Sequence, residues 1–173
     1  MKVIGLDLSL SSTGVACSLG WTQRIRIGPR AAIGGRPEEQ TFARLREIRD
    51  KVLFHVGFAD LVVVEGLAVA STTGQHLTRV GLWHLVMEKV DREFAWAQVP
   101  PATLKKYATG KGNAGKDEVL AAVIKRFPDV EVRGNDEADA LVLAAMGADH
   151  LGKPMVDMPA VNRSSLEKVA WPC

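Results

Sequence analysis

Four acidic residues stand at positions where a carboxylate is costly or unusual. Asp7 interrupts the apolar run "VIGLDLS", and Glu65 ends the apolar run "LVVVE". Neither has a basic neighbour in sequence, although a buried carboxylate needs a partner. Further along, "NDEADALVLA" places three carboxylates in four residues before an apolar run. In a helix, Asp136 and Asp139 lie side by side because they are three residues apart, whereas Glu137 points elsewhere.

These acids predict a metal site if the strands of Asp7 and Glu65 are neighbours, because all four side chains then converge at one end of a sheet. Two unit charges 4 Å apart repel by roughly 4 kcal/mol at an effective dielectric of 20, so such a cluster needs cations. An all-oxygen site without Cys or His selects Mg²⁺ or Mn²⁺. A structural explanation also exists for the helix, since its dipole stabilises acids in the first turn, where Asn135 or Asp136 can act as the N-cap.

The elements that position these residues follow from hydrophobic periodicity. Short apolar or alternating runs predict strands, and apolar residues at helical spacing predict helices. The predicted strands span residues 2–10, 13–19, 22–27, 60–66 and 94–99; the predicted helices span 37–56, 74–94, 100–107, 116–127 and 135–151. This order indicates an α/β fold with a mixed five-stranded sheet flanked by helices.

Length and composition indicate one ordinary domain. The chain has 173 residues, 47% hydrophobic, and a formal net charge of +2, which by itself does not indicate a nucleic-acid partner. No apolar stretch has the length of a membrane span and no secretion signal is evident, so we expect a cytoplasmic protein without membrane contact. Cys17 and Cys173 lie at opposite ends of the chain and are expected to be reduced thiols.

A basic segment precedes the acidic helix. Residues 105–116, "KKYATGKGNAGK", contain four lysines and no acid, and their glycines allow the backbone to approach a phosphate. A solvated loop without a partner would have the same composition. Both explanations remain open at this point.

The ordered set "GLDLSLSSTG", "VVVEG", "PPATLKKYATGKGNAGKDEV" and "NDEADALVLA" resembles the RuvC-like Holliday-junction resolvases, of phage or bacterial type, within the ribonuclease H-like (retroviral integrase) superfamily. The resemblance covers about residues 1–150. It implies a ribonuclease H-like nuclease domain over residues 1–152, followed by a tail at 153–173. In that tail, Ser164 and Glu167 form a capping-box pattern for a short helix over "LEKVAW".

The resemblance also implies the roles of the site residues. Asp7, Glu65, Asp136 and Asp139 would be the catalytic acids of an endodeoxyribonuclease that hydrolyses phosphodiesters with two Mg²⁺ or Mn²⁺ ions about 4 Å apart, with Asp7 bridging the ions. Lys116 matches a lysine near the catalytic centre. Lys105, Lys106 and Lys111, together with Lys116, would bind DNA, and Arg24, Arg26, Arg30 and Arg36 would extend the basic surface.

The implied partner is branched DNA, used in recombination and repair and cut by a homodimer. Helix 74–94 has apolar residues around much of its circumference, and Gly81 permits close approach, so we expect the dimer to form through it. His76 and His84 on this helix are interpreted as packing or phosphate contacts. Ala68 stands where relatives carry an aromatic wedge, and its neighbours Leu67 and Val69 offer no ring. This predicts activity on forks and flaps as well as four-way junctions.

Two other functions are compatible with parts of the pattern. One is a branched-DNA-binding module with this fold but without catalysis, which the presence of all four acids disfavours. The other is an actin-like ATP-binding domain, because "GLDLSLSSTG" also looks like the first phosphate hairpin of those proteins. The chain lacks the length and the second Gly-rich phosphate loop that they need.

Overall fold

The computed structural model describes residues 1–28, 36–67 and 75–172. Its elements in chain order are β1 Val3–Asp7, β2 Thr13–Cys17, β3 Trp21–Ile25, α1 Pro37–Val56, β4 Leu61–Glu65, α2 His76–Glu93, β5 Trp96–Val99, α3 Pro101–Thr109, α4 Lys116–Arg126, α5 Asn135–His150, α6 Ala160–Arg163 and a 3₁₀ helix Leu166–Lys168. The predicted strands and the helices up to α5 are confirmed, with ends shifted by a few residues. In these ranges, no helix has both the length and the apolar character needed to cross a membrane.

The five strands form one mixed sheet with the order β3-β2-β1-β4-β5. Strands β1, β2 and β3 pair antiparallel, whereas β1, β4 and β5 are parallel. This is the ribonuclease H-like arrangement expected from the sequence. Because β1 and β4 are parallel neighbours, their carboxyl ends lie at the same edge of the sheet.

Helices cover both faces of the sheet, and alternate residues of each strand point to opposite faces. One face carries α1 and α2, which pack on the even-numbered positions of the central strands: Ile4, Leu6, Val62 and Val64. The other face carries α3, α4 and α5, which pack on the odd-numbered positions Val3, Leu61 and Val63. Asp7 and Glu65 continue this second series, so they belong to the face that α5 covers.

Helix α5 lies against β1 at backbone contact. A Cβ atom added at Gly5 would stand 2.0 Å from the carbonyl oxygen of Ala140. A Cβ added at Gly147 would stand 2.7 Å from methyl groups of both Val3 and Val63. The small residues on both surfaces therefore set the short distance between the helix and the sheet.

The C-terminal tail packs on its own chain. The Asn162 side-chain amide donates a 2.7 Å hydrogen bond to the backbone carbonyl of Tyr107, at the end of α3. Arg163 forms an ion pair of 2.7 Å with Asp149 of α5, which also accepts a hydrogen bond from the Tyr107 hydroxyl. These contacts connect the tail to α3 and to the C-terminal end of α5.

The expected capping box in the tail is not formed. The Ser164 hydroxyl donates to the backbone carbonyl of Val161, one turn earlier, and no side chain caps the 3₁₀ helix that follows. The rings of Trp171 and His150 stack with centroids 4.3 Å apart, which anchors the end of the described chain on α5. The tail is therefore held by contacts with α5 rather than by a capping box at the 3₁₀ helix.

Candidate active site

The carboxyl ends of β1 and β4 carry the first pair of acids, Asp7 and Glu65. Leu6 pairs with Val64 in the parallel register of β1 and β4, so Asp7 and Glu65 are the next residues on neighbouring strands. Asp7 is buried, with 7% of its surface exposed, and the Glu65 side chain is 16% exposed. The apolar strands that place these carboxylates also remove them from water.

The N-terminal end of α5 carries the second pair of acids, Asp136 and Asp139. Gly14 of β2 is the cross-strand partner of Asp7, and a Cβ atom at Gly14 would stand 1.9 Å from the carbonyl oxygen of Asp136. The helix therefore begins directly over the hairpin strand beside Asp7. Asp136 and Asp139 both lie close enough to Asp7 for their charges to act on it.

Burial raises the pKa of three of the four acids: Asp7, Glu65 and Asp139. Burial raises the pKa of Asp7 well above its usual value, and the charges of Glu65, Asp139 and Asp136 raise it further. Burial, followed by the charge of Glu65, raises the pKa of Asp139 to about 7. Burial also raises the pKa of Glu65, although the charge of Arg79 and a hydrogen bond from Asp7 oppose that change. Such mutual repulsion is relieved by protons or by cations.

The donor set fits Mg²⁺ or Mn²⁺, because it consists of carboxylate oxygens contributed by three separate elements. Within residues 1–28, 36–67 and 75–172, no three His, Cys, Asp or Glu side chains are spaced as a ready-formed metal site. The acids thus share one electrostatic environment, but their oxygens do not converge on a single point. In this conformation the strongest favourable charge acting on Glu65 is that of Arg79.

The basic residues predicted near the acids separate into two groups. Lys116 is the first residue of α4, Lys105 lies on α3, and both lower the pKa of Glu65 and of Asp139 through their charges. Lys106 is partly exposed on α3. Lys111 forms an exposed ion pair of 3.4 Å with Glu118. The first group is therefore Lys105 and Lys116, whose charges act on the acids, and the second is Lys106 and Lys111.

The arginines expected to extend the basic surface are scattered. Arg24 lies beside the glycine that precedes α5, which is near the acidic helix end. Arg26 is exposed on the segment after β3, and Arg36 is engaged with Glu39 at the start of α1, at 2.8 Å. Arg30 lies outside the described residues. Of the three arginines that the structure describes, Arg24 is the one beside the start of the acidic helix.

Two site residues on α2 were not predicted from the sequence. The guanidinium of Arg79 lies 3.9 Å from the Glu65 carboxylate, and the Trp83 indole N–H donates a 3.3 Å hydrogen bond to the Glu65 backbone carbonyl. Arg79 and Trp83 are four residues apart, which places them on one face of the helix. That spacing was the available signal, but nothing in the sequence indicates that this face meets the end of β4.

Glu137 is a buried structural acid. Its side chain is 1% exposed and accepts a hydrogen bond from the backbone N–H of Arg133. The expectation that Asn135 or Asp136 caps α5 is wrong, because the N-cap residue is Gly134 and no side chain caps the helix. Glu137 at the third helical position holds the preceding backbone instead, so Asp136 remains available to the site.

Comparisons with known proteins agree with this architecture. No family model matches the chain. The crossover junction endodeoxyribonuclease RuvC of Synechococcus sp. (strain WH7803) is 28% identical over 165 residues, an alignment that covers 85% of this chain and 97% of that protein. The RuvC of Rickettsia bellii (strain OSU 85-389) is 27% identical over 157 residues, covering 83% of this chain and 94% of that protein.

Solved structures show the same fold. The Thermus thermophilus RuvC structure matches with a TM-score of 0.63 and 19% identity, over 89% of this chain and 98% of that one. T. thermophilus RuvC in complex with Holliday junction substrate matches with a TM-score of 0.64 and 18% identity over the same shares. From the similarity along most of its length and the shared ribonuclease H-like fold, we conclude that this chain is a homologue of the RuvC crossover junction endodeoxyribonucleases.

Proposed function

We propose that this protein is a metal-dependent endonuclease that cuts branched DNA, including Holliday junctions, forks and flaps. The observation that supports the proposal is that Asp7, Glu65, Asp136 and Asp139 come from β1, β4 and α5 to one edge of the sheet, close enough for their charges to act on Asp7, beside Lys105 and Lys116. Buried acids that raise one another's pKa are costly for folding and are characteristic of sites that bind cations. The RuvC homologues supply the substrate class.

The four carboxylates would hold the metal, and the lysines would hold the DNA. When bound, two Mg²⁺ or Mn²⁺ ions supply an activated water and stabilise the leaving 3′ oxygen. Lys116 and Lys105 place positive charge at the edge of the cluster, where a backbone phosphate would otherwise be repelled. Lys106 and Lys111 would add phosphate contacts that position the DNA without reading its sequence.

The test is a cleavage gel with a four-way junction, a replication fork, a flap and a linear duplex, in Mg²⁺ and separately in Ca²⁺. We expect Mg²⁺-dependent cutting of the branched substrates and little cutting of the linear duplex. Asp7→Asn, Glu65→Gln, Asp136→Asn and Asp139→Asn should each abolish most cleavage and retain junction binding. If the protein bound branched DNA without metal and cut none of the substrates in Mg²⁺, the result would contradict the proposal and favour a non-catalytic DNA-binding module.

The matched control for these variants is Asp129→Asn, because Asp129 is an exposed acid in the loop before α5. Glu137→Gln is unsuitable as a control, since burial and a backbone hydrogen bond make it a test of folding. The ATP-binding alternative is checked separately: protection against thermal unfolding by ATP would revive it. Equal loss of cleavage in Asp129→Asn would show that the assignment of the acids is wrong.

We also propose that the chain acts as a homodimer through α2. Leu77 is 79% exposed on this helix, and a Cβ at Gly81 would meet no atom of the described residues within 4 Å, so part of the helix presents an apolar, closely approachable face. Leu82 and Val86 on the same helix are wholly buried in the chain's own core and are not accessible to a second copy. The interface would therefore use the face of Leu77, Gly81 and His84.

A further inference from the structure

Arg79 approaches the acidic cluster from outside the elements that carry the acids. It lies in the first turn of α2, and its Nη2 atom is 3.9 Å from Oε2 of Glu65. The Arg79 side chain is 36% exposed and that of Glu65 is 16% exposed. Among the positive charges that lower the pKa of Glu65, that of Arg79 has the largest effect, ahead of Lys116 and Lys105.

The pair between Arg79 and Glu65 differs from the structural ion pairs of the chain. Arg163 contacts Asp149 through Nη2 at 2.7 Å and Nε at 3.1 Å, and Arg133 contacts Glu131 through two nitrogens at 2.9 and 3.0 Å. The Nε atom of Arg79, by contrast, is buried and has no hydrogen-bond partner within residues 1–28, 36–67 and 75–172. Arginine–carboxylate pairs are frequently bidentate, with two N–H groups of the guanidinium on the two carboxylate oxygens. Arg79 supplies charge to Glu65 but makes no close directional bond.

This arrangement bears on how the cluster accepts a metal. A carboxylate that neutralises a guanidinium attracts a second cation less strongly, because the two cations repel each other. We propose that Arg79 neutralises Glu65 in the metal-free site and competes with the divalent metal for this carboxylate. This proposal rests on the function proposed above. Metal loading then requires Arg79 to leave Glu65, and the imperfect geometry of the pair keeps that exchange easy.

Titration calorimetry with Mn²⁺ in the absence of DNA tests this competition. The variants are Arg79→Gln, which removes the charge, and Arg79→Lys, which keeps it. The matched control is Arg92→Gln, because Arg92 forms an exposed ion pair of 2.6 Å with Glu88 on the same helix. We expect Arg79→Gln to bind Mn²⁺ about fivefold more tightly than the wild type, the low end of typical coupling between two sites. Arg79→Lys should stay closer to the wild type, and Arg92→Gln should match it.

Thermal unfolding separates this role from simple packing. In chelator at pH 8, Arg79→Gln should unfold at a lower temperature than the wild type, since the acids lose their counter-cation. Saturating Ca²⁺ should abolish that difference. A deficit of the same size with and without Ca²⁺ would mean that Arg79 is a structural residue, and would overturn the inference.

The outcomes also separate this inference from the proposed function. A wild type that binds Mn²⁺, with unchanged affinity in Arg79→Gln, overturns the role of Arg79 and leaves the nuclease proposal intact. A wild type that binds no divalent metal overturns both. Tighter binding in Arg79→Gln with a metal-dependent stability difference supports the competition.

Discussion

Gly14 of β2 lies so close to Asp136 that a Cβ atom at position 14 would stand 1.9 Å from the Asp136 carbonyl oxygen. The glycine is paired across the hairpin with Asp7, so the same contact sets both the depth of α5 and the distance between two acids of the site. The close approach is to backbone, which cannot rotate away as a flexible side chain could.

Gly14→Ala should therefore displace the start of α5 from the sheet. We expect a loss of about 3 kcal/mol or more in the free energy of unfolding, because overpacking against backbone has no cheap relaxation. Urea unfolding measures the loss, and Gly28→Ala is the control, since a Cβ there would meet no atom of the part of the chain that the structure describes within 4 Å. A Gly14→Ala protein as stable as Gly28→Ala would contradict the close packing.

The metal-free protein should lose stability as the pH rises from about 4 to 7. The pKa of Asp139 is about 7 in the folded chain because of burial and the nearby charge of Glu65, whereas an unfolded Asp titrates near about 3.9. Between these values the folded state binds more protons, so the free energy of unfolding falls with increasing pH. Asp7, whose pKa burial also raises, contributes in the same direction.

Urea midpoints in chelator at pH 5 and pH 8 measure this dependence. Asp139→Asn should be more stable than the wild type at pH 8, by about 2 to 4 kcal/mol, and its stability should depend less on pH. Divalent metal affinity should rise over the same range, since the ligands must lose their protons. If Asp139→Asn kept the full pH dependence, Asp139 would not be the group responsible.

The lysines should differ in their contribution to DNA binding. Lys105→Ala and Lys106→Ala should each reduce the slope of log affinity against log salt by about 0.9, the value for one lost phosphate contact. Lys111 is paired with Glu118, so Lys111→Ala should have a smaller effect and Glu118→Gln should strengthen binding. Fluorescence anisotropy with a labelled junction over a salt series measures each slope.

The control for this series is Lys51→Ala, on α1 at the opposite face of the sheet. It should leave both affinity and slope unchanged. Unchanged slopes for Lys105→Ala and Lys106→Ala would remove α3 from the DNA interface. If the slope changed in Lys51→Ala alone, the DNA would bind on the face of the sheet that α1 covers.

Charge substitutions on α2 should separate assembly from folding. Leu77→Glu, at a position 79% exposed, should dissociate the proposed dimer without loss of monomer stability. Leu82→Glu should instead unfold the chain, because Leu82 is fully buried and an unpaired buried charge is strongly destabilising. Sedimentation combined with circular dichroism distinguishes the two outcomes. A wild-type monomer at micromolar concentration would exclude the dimer.

Substrate selectivity should respond to Ala68, which lies outside the described residues. The resemblance to the RuvC-like resolvases implies an aromatic residue three positions after the acid at the end of β4, and this chain has Ala68 at that position. An introduced ring would gain roughly 1 to 3 kcal/mol from stacking on a base, so Ala68→Phe should favour four-way junctions over forks and flaps. Cleavage rates on the three substrates test this. A wild type that cuts four-way junctions at least about a hundredfold faster would contradict the broad selectivity.

The sequence by itself determined the secondary-structure elements and indicated four candidate acids for the site. Alternating and helical periodicities are local properties, so they predicted the five strands and α1 to α5 to within a few residues. Asp7 and Glu65 stood out because a carboxylate at the end of an apolar strand is costly wherever the strand is placed. Asp136 and Asp139 followed from the three-residue spacing within one helix.

Only the tertiary structure decided which residues complete the site. Fourteen positions separate Glu65 from Arg79, and the orientation of α2 against the sheet, which depends on the whole buried face, brings them within 3.9 Å. The burial of Glu137 depends on the path of the preceding loop, which no periodicity describes. Gly14 is a further example. Its local sequence suits a hairpin, but a glycine is required at this position only because α5, more than a hundred residues later in the chain, packs against its backbone.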